Sequence, residues 1–270
     1  MLRLALALSL SLLAAPAAAA SVDGIEIHST VAGAGPKTVI LVHGWTCDES
    51  SWAGQVPAFD DDYRVVTLDL PGHGKSEAPA PDGFSMDLFA RAVEAVRQEV
   101  GADKVVLVGH SMGAAVIREY ALDYPEHVAG LVAVDGPLDM RPFKDFPGFG
   151  PLTREARTTM IESMFVPATL PELRAQILAM MLGAPEATAV GASRAMFDPQ
   201  LQAQAAQTIA APALGVFAGG EGFGNTDATK EVVPNWSSAK FDGTGHFLMM
   251  EDPARFNAVL RAFLEQRARF

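Results

Sequence analysis

The segment 104–124 constrains the fold more than any other part of the chain. A β-rich run, KVVLV at 104–108, leads into Gly109-His110-Ser111-Met112-Gly113, and apolar residues at helical spacing follow. A tight turn between a strand and a helix pushes its serine outward, and the flanking glycines let backbone pass close by. The N-terminus of the helix supplies N–H groups that can stabilise a developing oxyanion. The pattern therefore predicts that Ser111 is a nucleophile on an α/β scaffold.

A serine hydroxyl is a weak nucleophile without a general base, so we examined the six histidines. Five lie on strands, in turns or after a helix: His28, His43, His73, His110 and His127. The sixth, His246, lies in GTGHF at 243–247, a loop between the last predicted strand and the last predicted helix. From that loop a side chain can reach over the carboxyl edge of a parallel sheet. We therefore predict His246 as the base.

Short β-rich runs alternate with helical patterns, which is typical of an α/β fold with a mostly parallel sheet. The predicted strands are 37–42, 64–68, 104–108, 128–134, 213–217 and 238–241, and the clearest helices are 86–100, 111–124 and 253–266. From about 137 to 210 the strand signal disappears and the chain is helical in character and rich in methionine. We predict one domain over 21–270, with a mostly parallel central sheet flanked by helices and a helical cap inserted after the sixth strand.

The first twenty residues, MLRLALALSLSLLAAPAAAA, have the layout of a secretory signal peptide. One arginine precedes an apolar stretch, and small residues end in an A-x-A site at Ala18-Ala19-Ala20. The apolar run is shorter than the ~20 residues that a membrane-spanning helix needs, and Pro16 interrupts its end. Cleavage near Ala20 predicts a periplasmic or secreted protein that keeps no stable membrane anchor.

Charge and cysteine content narrow the partners. Among 270 residues, 32 are acidic and 20 basic, which gives a formal net charge of −12. Nucleic acid would meet like charge, so we expect no such partner. Cys47 is the only cysteine, which excludes an internal disulfide and a cysteine-rich metal cluster. We expect a small-molecule substrate and neither a metal nor a cofactor, and the oligomeric state stays open.

Four segments together resemble the alpha/beta hydrolases of the alpha/beta hydrolase-1 type, and the likeness extends over 22–270. They are LVHGW at 41–45, DLPGHGKS at 69–76, VGHSMG at 108–113 and GTGHFLMMEDPARFNAVL at 243–260. The resemblance implies that Ser111 is the nucleophile and His246 the base. It also implies an oxyanion hole formed by the backbone N–H groups of Trp45 and Met112. The helical insertion would then be the cap that shapes the substrate pocket.

The acid of the triad is the point at which the chain departs from this pattern. Most relatives carry an aspartate just after the strand that corresponds to 213–217, where this chain reads AGGEGF at 218–223. Glutamate can hold an imidazole as aspartate does, which makes Glu221 one candidate. Some members of the fold, including haloalkane dehalogenases and certain lipases, carry their acid after the strand that corresponds to 128–134. Asp135 lies there, and it is our prediction for the acid, with Glu221 as the alternative.

These residues predict a serine hydrolase, in the first place a carboxylesterase that acts on an apolar acyl ester. Haloalkane dehalogenases and epoxide hydrolases are disfavoured, because they use aspartate as the nucleophile. Lactone or carbon–carbon bond hydrolysis and cofactor-free haloperoxidase chemistry stay open, as does a non-catalytic ligand-binding protein on the same scaffold. We interpret Glu251 and Asp252 as the start of the last helix. We interpret Cys47 as a packing residue beside the loop of Gly44 and Trp45, which we call the oxyanion loop.

Overall fold

A computed structural model describes residues 19–143, 146, 148–219 and 226–270. The predicted signal peptide thus lies almost entirely outside the described residues, and it stays a prediction. The strands in the described part of the chain are β1 Ser21–Val22, β2 Ile25–Glu26, β3 Ser29–Ala32, β4 Thr38–Val42, β5 Arg64–Leu68, β6 Val105–His110, β7 Val128–Val134, β8 Ala213–Ala218 and β9 Trp236–Phe241.

Seven of these strands form one sheet in the order β3-β5-β4-β6-β7-β8-β9, whereas β1 and β2 pair only with each other. β3 is antiparallel to β5, and all other neighbours in the large sheet are parallel. Every residue of β4, β6 and β7 is buried, as expected for strands with helices over both faces. The mostly parallel sheet of the prediction is confirmed. Its central strands end at one edge, where α/β proteins bind their ligands.

The helices in the described residues are α1 Val56–Phe59, α2 Met86–Glu99, α3 Met112–Asp123, α4 Arg154–Glu162, α5 Pro171–Gly183, α6 Glu186–Met196, α7 Pro199–Ala203, α8 Thr226–Val232, α9 Leu248–Glu251 and α10 Pro253–Gln266. α2 begins after Ser85, whose hydroxyl accepts the N–H of Leu88 at 3.0 Å, a side-chain cap typical of helix starts. α10 lies against β7, where Phe263 fills the space beside the bare Cα of Gly130. None of these helices has the length and apolar character needed to cross a membrane.

The segment 137–210, between β7 and β8, contains helices α4 to α7, and we call it the cap. α6 is tied to loops of the sheet by two hydrogen bonds. Trp45 Nε1 donates to the carbonyl of Ala189 at 2.9 Å, and Thr188 Oγ1 donates to the carbonyl of Gly72 at 2.8 Å. The cap follows the fifth strand of the large sheet in chain order. The pair β1 and β2 also precedes the cap, so seven described strands come before it in total, whereas the prediction placed it after the sixth strand.

Two strands differ from the predicted bounds in ways that matter. β6 continues through Gly109 and His110, so the strand runs to the residue directly before Ser111. β9 begins at Trp236, two residues earlier than predicted, and Trp236 pairs with Ala213 of β8. Its middle residues are half-buried or exposed, as on an edge strand, so polar side chains such as Lys240 hide the apolar pattern.

Candidate active site

Ser111 forms the turn between β6 and α3, with φ 53° and ψ −116°. A positive φ is rare for a residue with a Cβ, and such a residue is strained by about 1–3 kcal/mol. The neighbouring glycines make the turn possible. A Cβ on Gly109 would overlap the carbonyl oxygen of Gly113, and a Cβ on Gly113 would overlap the carbonyl oxygen of Val42. The structure thus forms the sharp strand–turn–helix geometry that the sequence predicts.

Two further loops approach this turn through glycines. A Cβ on Gly44, after β4, would lie 2.9 Å from His110 Nδ1 and 3.2 Å from the Cβ of Ser111. A Cβ on Gly136, after β7, would overlap the carbonyl oxygen of Ser111. The carboxyl ends of β4, β6 and β7 therefore converge on Ser111 at distances that only glycine backbone allows.

Asp135, directly after β7, contacts His246 across the carboxyl edge of the sheet. Asp135 Oδ2 lies 2.6 Å from His246 Nδ1, and Asp135 Oδ1 accepts the N–H of Ala218 at 3.0 Å. The two side chains are only 6% and 10% exposed. A carboxylate can only accept, so Nδ1 carries the proton, and Nε2 of the neutral ring is then the nitrogen able to take one.

The loop that carries His246 is held from three directions. The N–H of His246 donates to the carbonyl of Met164 in the cap at 3.0 Å. The N–H of Gly245 donates to Glu251 Oε2 at 2.9 Å. From the strand–serine–helix turn at 109–113, which we call the elbow, His110 Nε2 donates to the carbonyl of His246 at 2.9 Å. The imidazole is therefore positioned by its own backbone as well as by Asp135.

The expectation that Glu251 and Asp252 both begin the last helix is correct for Asp252 and wrong for Glu251. Asp252 does begin α10, since its Oδ1 accepts the N–H of Arg255 at 3.2 Å. Glu251 lies instead in α9, and its carboxylate reaches back to the histidine loop. The contact was missed because a loop can fold back on a short helix without any periodic signal. The only sequence signal for it is an acidic residue five positions after His246.

The predicted oxyanion donors, Trp45 and Met112, line the same cavity as Ser111. Met112 is the first residue of α3, where a helix leaves N–H groups without an intrahelical acceptor. The loop of Trp45 is fixed by the N–H of Cys47, which donates to the carbonyl of Gly44 at 3.1 Å. Among the described residues, no hydrogen bond engages the N–H of Trp45 or that of Met112. The oxyanion role of these two N–H groups stays a prediction.

The alternative acid, Glu221, lies outside the described residues. Its prediction stays open for that reason. The contact between Asp135 and His246 does not depend on it, because both of those side chains lie within the described part of the chain.

Three other histidines near the elbow are buried and held neutral. Burial lowers the pKa of His43, whose Nε2 accepts the N–H of Leu70 at 3.0 Å. Burial and the neighbouring His43 lower the pKa of His73 to about 3. Burial, with a smaller electrostatic contribution from the adjacent His246, lowers the pKa of His110 well below its usual value. In the neutral form, each of these rings hydrogen-bonds a backbone group beside the site.

A cavity of about 440 Å³ opens over Ser111, His246 and Asp135. Most of its wall is apolar and comes from the cap and from the loops after the strands. Phenylalanines and methionines dominate that wall: Phe143, Phe146, Phe149, Phe165, Phe197, Phe247, Met112, Met140, Met160, Met164, Met181 and Met196. No lysine or arginine is among the described residues that line it. Cys47 also lines the cavity, and burial raises the pKa of its thiol, which keeps it protonated.

A cluster of possible metal ligands lies outside this cavity. The ligand atoms of His28, Glu49 and Asp69 lie within 4.8 Å of one another. The ammonium of Lys75 lies 2.9 Å from Glu49 Oε1 and 3.2 Å from His28 Nε2, so a cationic group already faces the cluster. Asp69 accepts the N–H groups of Glu49 and Lys75 and thereby shapes the loop after β5.

A strand–serine–helix turn, a histidine loop and a carboxylate on a seven-stranded, mostly parallel sheet define a hydrolase-type α/β protein. Comparison with known proteins agrees with this class. A family model described as alpha/beta hydrolase fold matches residues 37–232. The chain belongs to the alpha/beta hydrolase family.

Two curated relatives match almost the whole chain. The chain is 32% identical to the dihydrolipoyllysine-residue acetyltransferase component of the acetoin cleaving system of Cupriavidus necator, over 91% of this chain and 68% of the relative. It is 29% identical to a 2-hydroxy-6-oxononadienedioate/2-hydroxy-6-oxononatrienedioate hydrolase of Paraburkholderia phymatum, over 90% of this chain and 92% of the relative. Among solved structures, a thermophilic esterase from Thermogutta terrifontis matches 92% of this chain and 96% of its own, with 25% identity and a TM-score of 0.77.

Proposed function

We propose that the chain is a serine hydrolase that cleaves uncharged, apolar carboxylic esters, with Ser111 as nucleophile, His246 as base and Asp135 as acid. The observation that carries the proposal is the 2.6 Å contact between His246 Nδ1 and Asp135 Oδ2, at the floor of the cavity onto which Ser111 also opens. A carboxylate in that position fixes the tautomer and the orientation of the imidazole.

The reaction proceeds in two displacements. Ser111 Oγ attacks the ester carbonyl carbon while His246 Nε2 takes the hydroxyl proton, and the N–H groups of Trp45 and Met112 stabilise the oxyanion. The intermediate collapses to an acyl-enzyme, and the alcohol leaves with the proton from His246. A water molecule then attacks the acyl carbon and gives a proton to His246. His246 passes that proton to Ser111 Oγ as the acyl–oxygen bond breaks, which releases the acid and regenerates the serine. Asp135 stays ionised and stabilises the imidazolium in both steps.

The lining of the cavity supports an uncharged substrate. The relative from Paraburkholderia phymatum is named for a dioate, which is a dicarboxylate. A buried carboxylate needs a cationic or hydrogen-bonding partner. Besides the proposed triad, the described walls of this cavity are mainly phenylalanine and methionine, without lysine or arginine. The hydroxyls of Ser163 and Thr244 also line it, but each donates to a backbone carbonyl. Similarity to that relative keeps hydrolysis of a substrate of that kind as a second candidate function, and the apolar lining of the cavity favours an uncharged ester.

Hydrolysis of p-nitrophenyl esters from acetate to laurate, with Ser111→Ala as control, tests the proposal. We expect serine-dependent turnover and stoichiometric labelling of the wild type, but not of Ser111→Ala, by a fluorophosphonate probe. A p-nitrophenyl ester with a terminal carboxylate on its acyl chain should react much more slowly than the neutral ester of equal length. Equal rates for that pair would contradict an uncharged substrate, and turnover by Ser111→Ala would contradict the nucleophile.

We propose in addition that the protein is exported, on the basis of the layout of its first twenty residues. N-terminal sequencing of protein recovered from the periplasm or the medium checks this, and we expect the mature chain to begin at or near Ser21. The carbonyl of Ala20 accepts the N–H of Ile27 at 2.8 Å. Cleavage directly after Ala20 would leave that carbonyl on the removed peptide, so sequencing also shows whether this contact survives. Recovery of the protein from the cytoplasm with residues 1–20 still attached would contradict export.

A further inference from the structure

His110, the second residue of the elbow motif, has a contact that the triad does not explain. Its imidazole is 1% exposed and lies between two parts of the site. Nε2 donates to the carbonyl of His246 at 2.9 Å, and the two rings lie 4.7 Å apart between centroids. On its other side, Nδ1 lies 2.9 Å from the position that a Cβ on Gly44 would take, next to the oxyanion loop.

The protonation of His110 is settled by its surroundings. Burial lowers its pKa well below the usual value, so the ring is neutral and carries a single proton. That proton lies on Nε2, because its partner is a carbonyl oxygen, which only accepts. Nδ1 is then a buried acceptor, and within the described residues it has no hydrogen-bond partner.

An unsatisfied buried acceptor destabilises the fold. An apolar side chain of similar size at position 110 would remove this unsatisfied acceptor, but it would also remove the hydrogen bond from Nε2 to the carbonyl of His246, so the two effects on stability oppose each other. What a leucine lacks is the donor aimed at the carbonyl of His246. His110 and His246 are 136 positions apart in the sequence, so this hydrogen bond directly joins the elbow to a distant segment of the chain.

We propose that His110 is a positioning residue that sets the distance between the histidine loop and the oxyanion loop. Its effect on turnover rests on the proposed function, because it acts through His246 and does not touch the substrate's reacting atoms in the proposed mechanism. Displacement of a catalytic group by about 1 Å can reduce a rate by about 100-fold. Loss of the hydrogen bond from His110 to the carbonyl of His246 should therefore reduce kcat. KM should stay the same, because the apolar walls of the pocket do not change.

The test compares His110→Leu with His110→Gln. Leucine fills the space without a donor, whereas the amide nitrogen of glutamine can place a donor near the position of Nε2. His127→Leu is the matched control. Its Nδ1 also donates to a backbone carbonyl, that of Asp103 at 2.8 Å, but at the opposite edge of the sheet.

We expect His110→Leu to lower kcat by about 10- to 100-fold with KM little changed. Its thermal unfolding temperature should stay close to that of the wild type, because the lost hydrogen bond and the removed unsatisfied acceptor oppose each other, and His110→Gln should recover most of the lost rate. Amide hydrogen exchange in the segment 242–249 should be faster in His110→Leu than in the wild type or in His127→Leu, with His110→Gln close to the wild type.

Three results would overturn the inference: wild-type kcat in His110→Leu, equal losses in the leucine and glutamine variants, or unchanged exchange in 242–249. If the wild type neither hydrolyses esters nor reacts with the fluorophosphonate, the proposed function fails. The exchange measurement still decides in that case whether His110 positions the loop.

Discussion

Around Ser111 the chain packs backbone against backbone, whereas the cap packs side chain against side chain. At the sheet edge, Gly44, Gly109, Gly113 and Gly136 each lie so close to neighbouring atoms that a Cβ would not fit without displacement. In the cap, the rings of Phe146, Phe149 and Phe197 contact one another with centroids 4.6–5.8 Å apart, and flexible methionines fill the space around them.

This difference indicates that the sheet edge and the cap have different functions. Backbone contacts tolerate little displacement, so they suit groups whose positions decide the rate of a reaction. Side-chain walls can repack, so they suit a surface that selects among substrates. We therefore expect substitutions at the sheet edge to change rate or stability, and substitutions in the cap to change selectivity.

The largest effect should follow from Asp135→Asn. The amide cannot hold His246 in the tautomer with the proton on Nδ1, and a comparable change in a serine protease lowers kcat about 10,000-fold. We expect a loss of this order in the hydrolysis of p-nitrophenyl esters, with little change in the unfolding temperature. Glu221→Gln is the matched control and should retain near wild-type kcat. If Glu221→Gln loses most of its kcat and Asp135→Asn keeps near wild-type kcat, Glu221 is the acid of the triad.

The next effect concerns stability and uses two glycines, one from each region. A Cβ on Gly113 would overlap the carbonyl oxygen of Val42, which is backbone and cannot turn away. We expect Gly113→Ala to lower the free energy of unfolding in urea by about 1–3 kcal/mol, as overpacking does, and to lose activity. Gly183, at the end of α5, has nothing within 4 Å of such a Cβ. Gly183→Ala should be neutral or stabilising by up to about 1 kcal/mol.

Equal losses in the two alanine variants would break the comparison, because the cap would then be as intolerant of added volume as the sheet edge. A stable, active Gly113→Ala would contradict the packing of the elbow itself.

The sequence predicts features that depend on local patterns, but not contacts between distant segments. The elbow and the central strands are local patterns: KVVLV followed by GHSMG needs no distant residue to be recognised. Ser111 and His246 could be proposed from the sequence because each lies in a distinctive segment, and the structure brings both to one cavity. The choice between Asp135 and Glu221 was not settled by the sequence, since it depends on which loop reaches an imidazole 111 residues from Asp135 along the chain. The contacts of Glu251, Met164 and His110 with the histidine loop were missed for the same reason, because they join segments without any shared period.

The smallest effect should come from the cap, and Phe149→Ala is the substitution that tests it. Phe149 lies 5.6 Å from Trp45 between ring centroids and contacts Phe146 and Phe197, so it forms part of the wall nearest the oxyanion loop. Removing the ring enlarges the pocket and takes apolar contact from short acyl chains, and a few missing methylene contacts change kcat/KM by about 10-fold. We expect the chain length with the highest kcat/KM to increase, while the labelling rate with a small fluorophosphonate stays within about 2-fold of the wild type. Leu170→Ala, on an exposed part of the cap, is the control and should keep the wild-type profile. A Phe149→Ala variant with an unchanged chain-length profile but slow labelling would show that this wall positions the reacting groups, and the separation between a rate-setting edge and a selective cap would not hold.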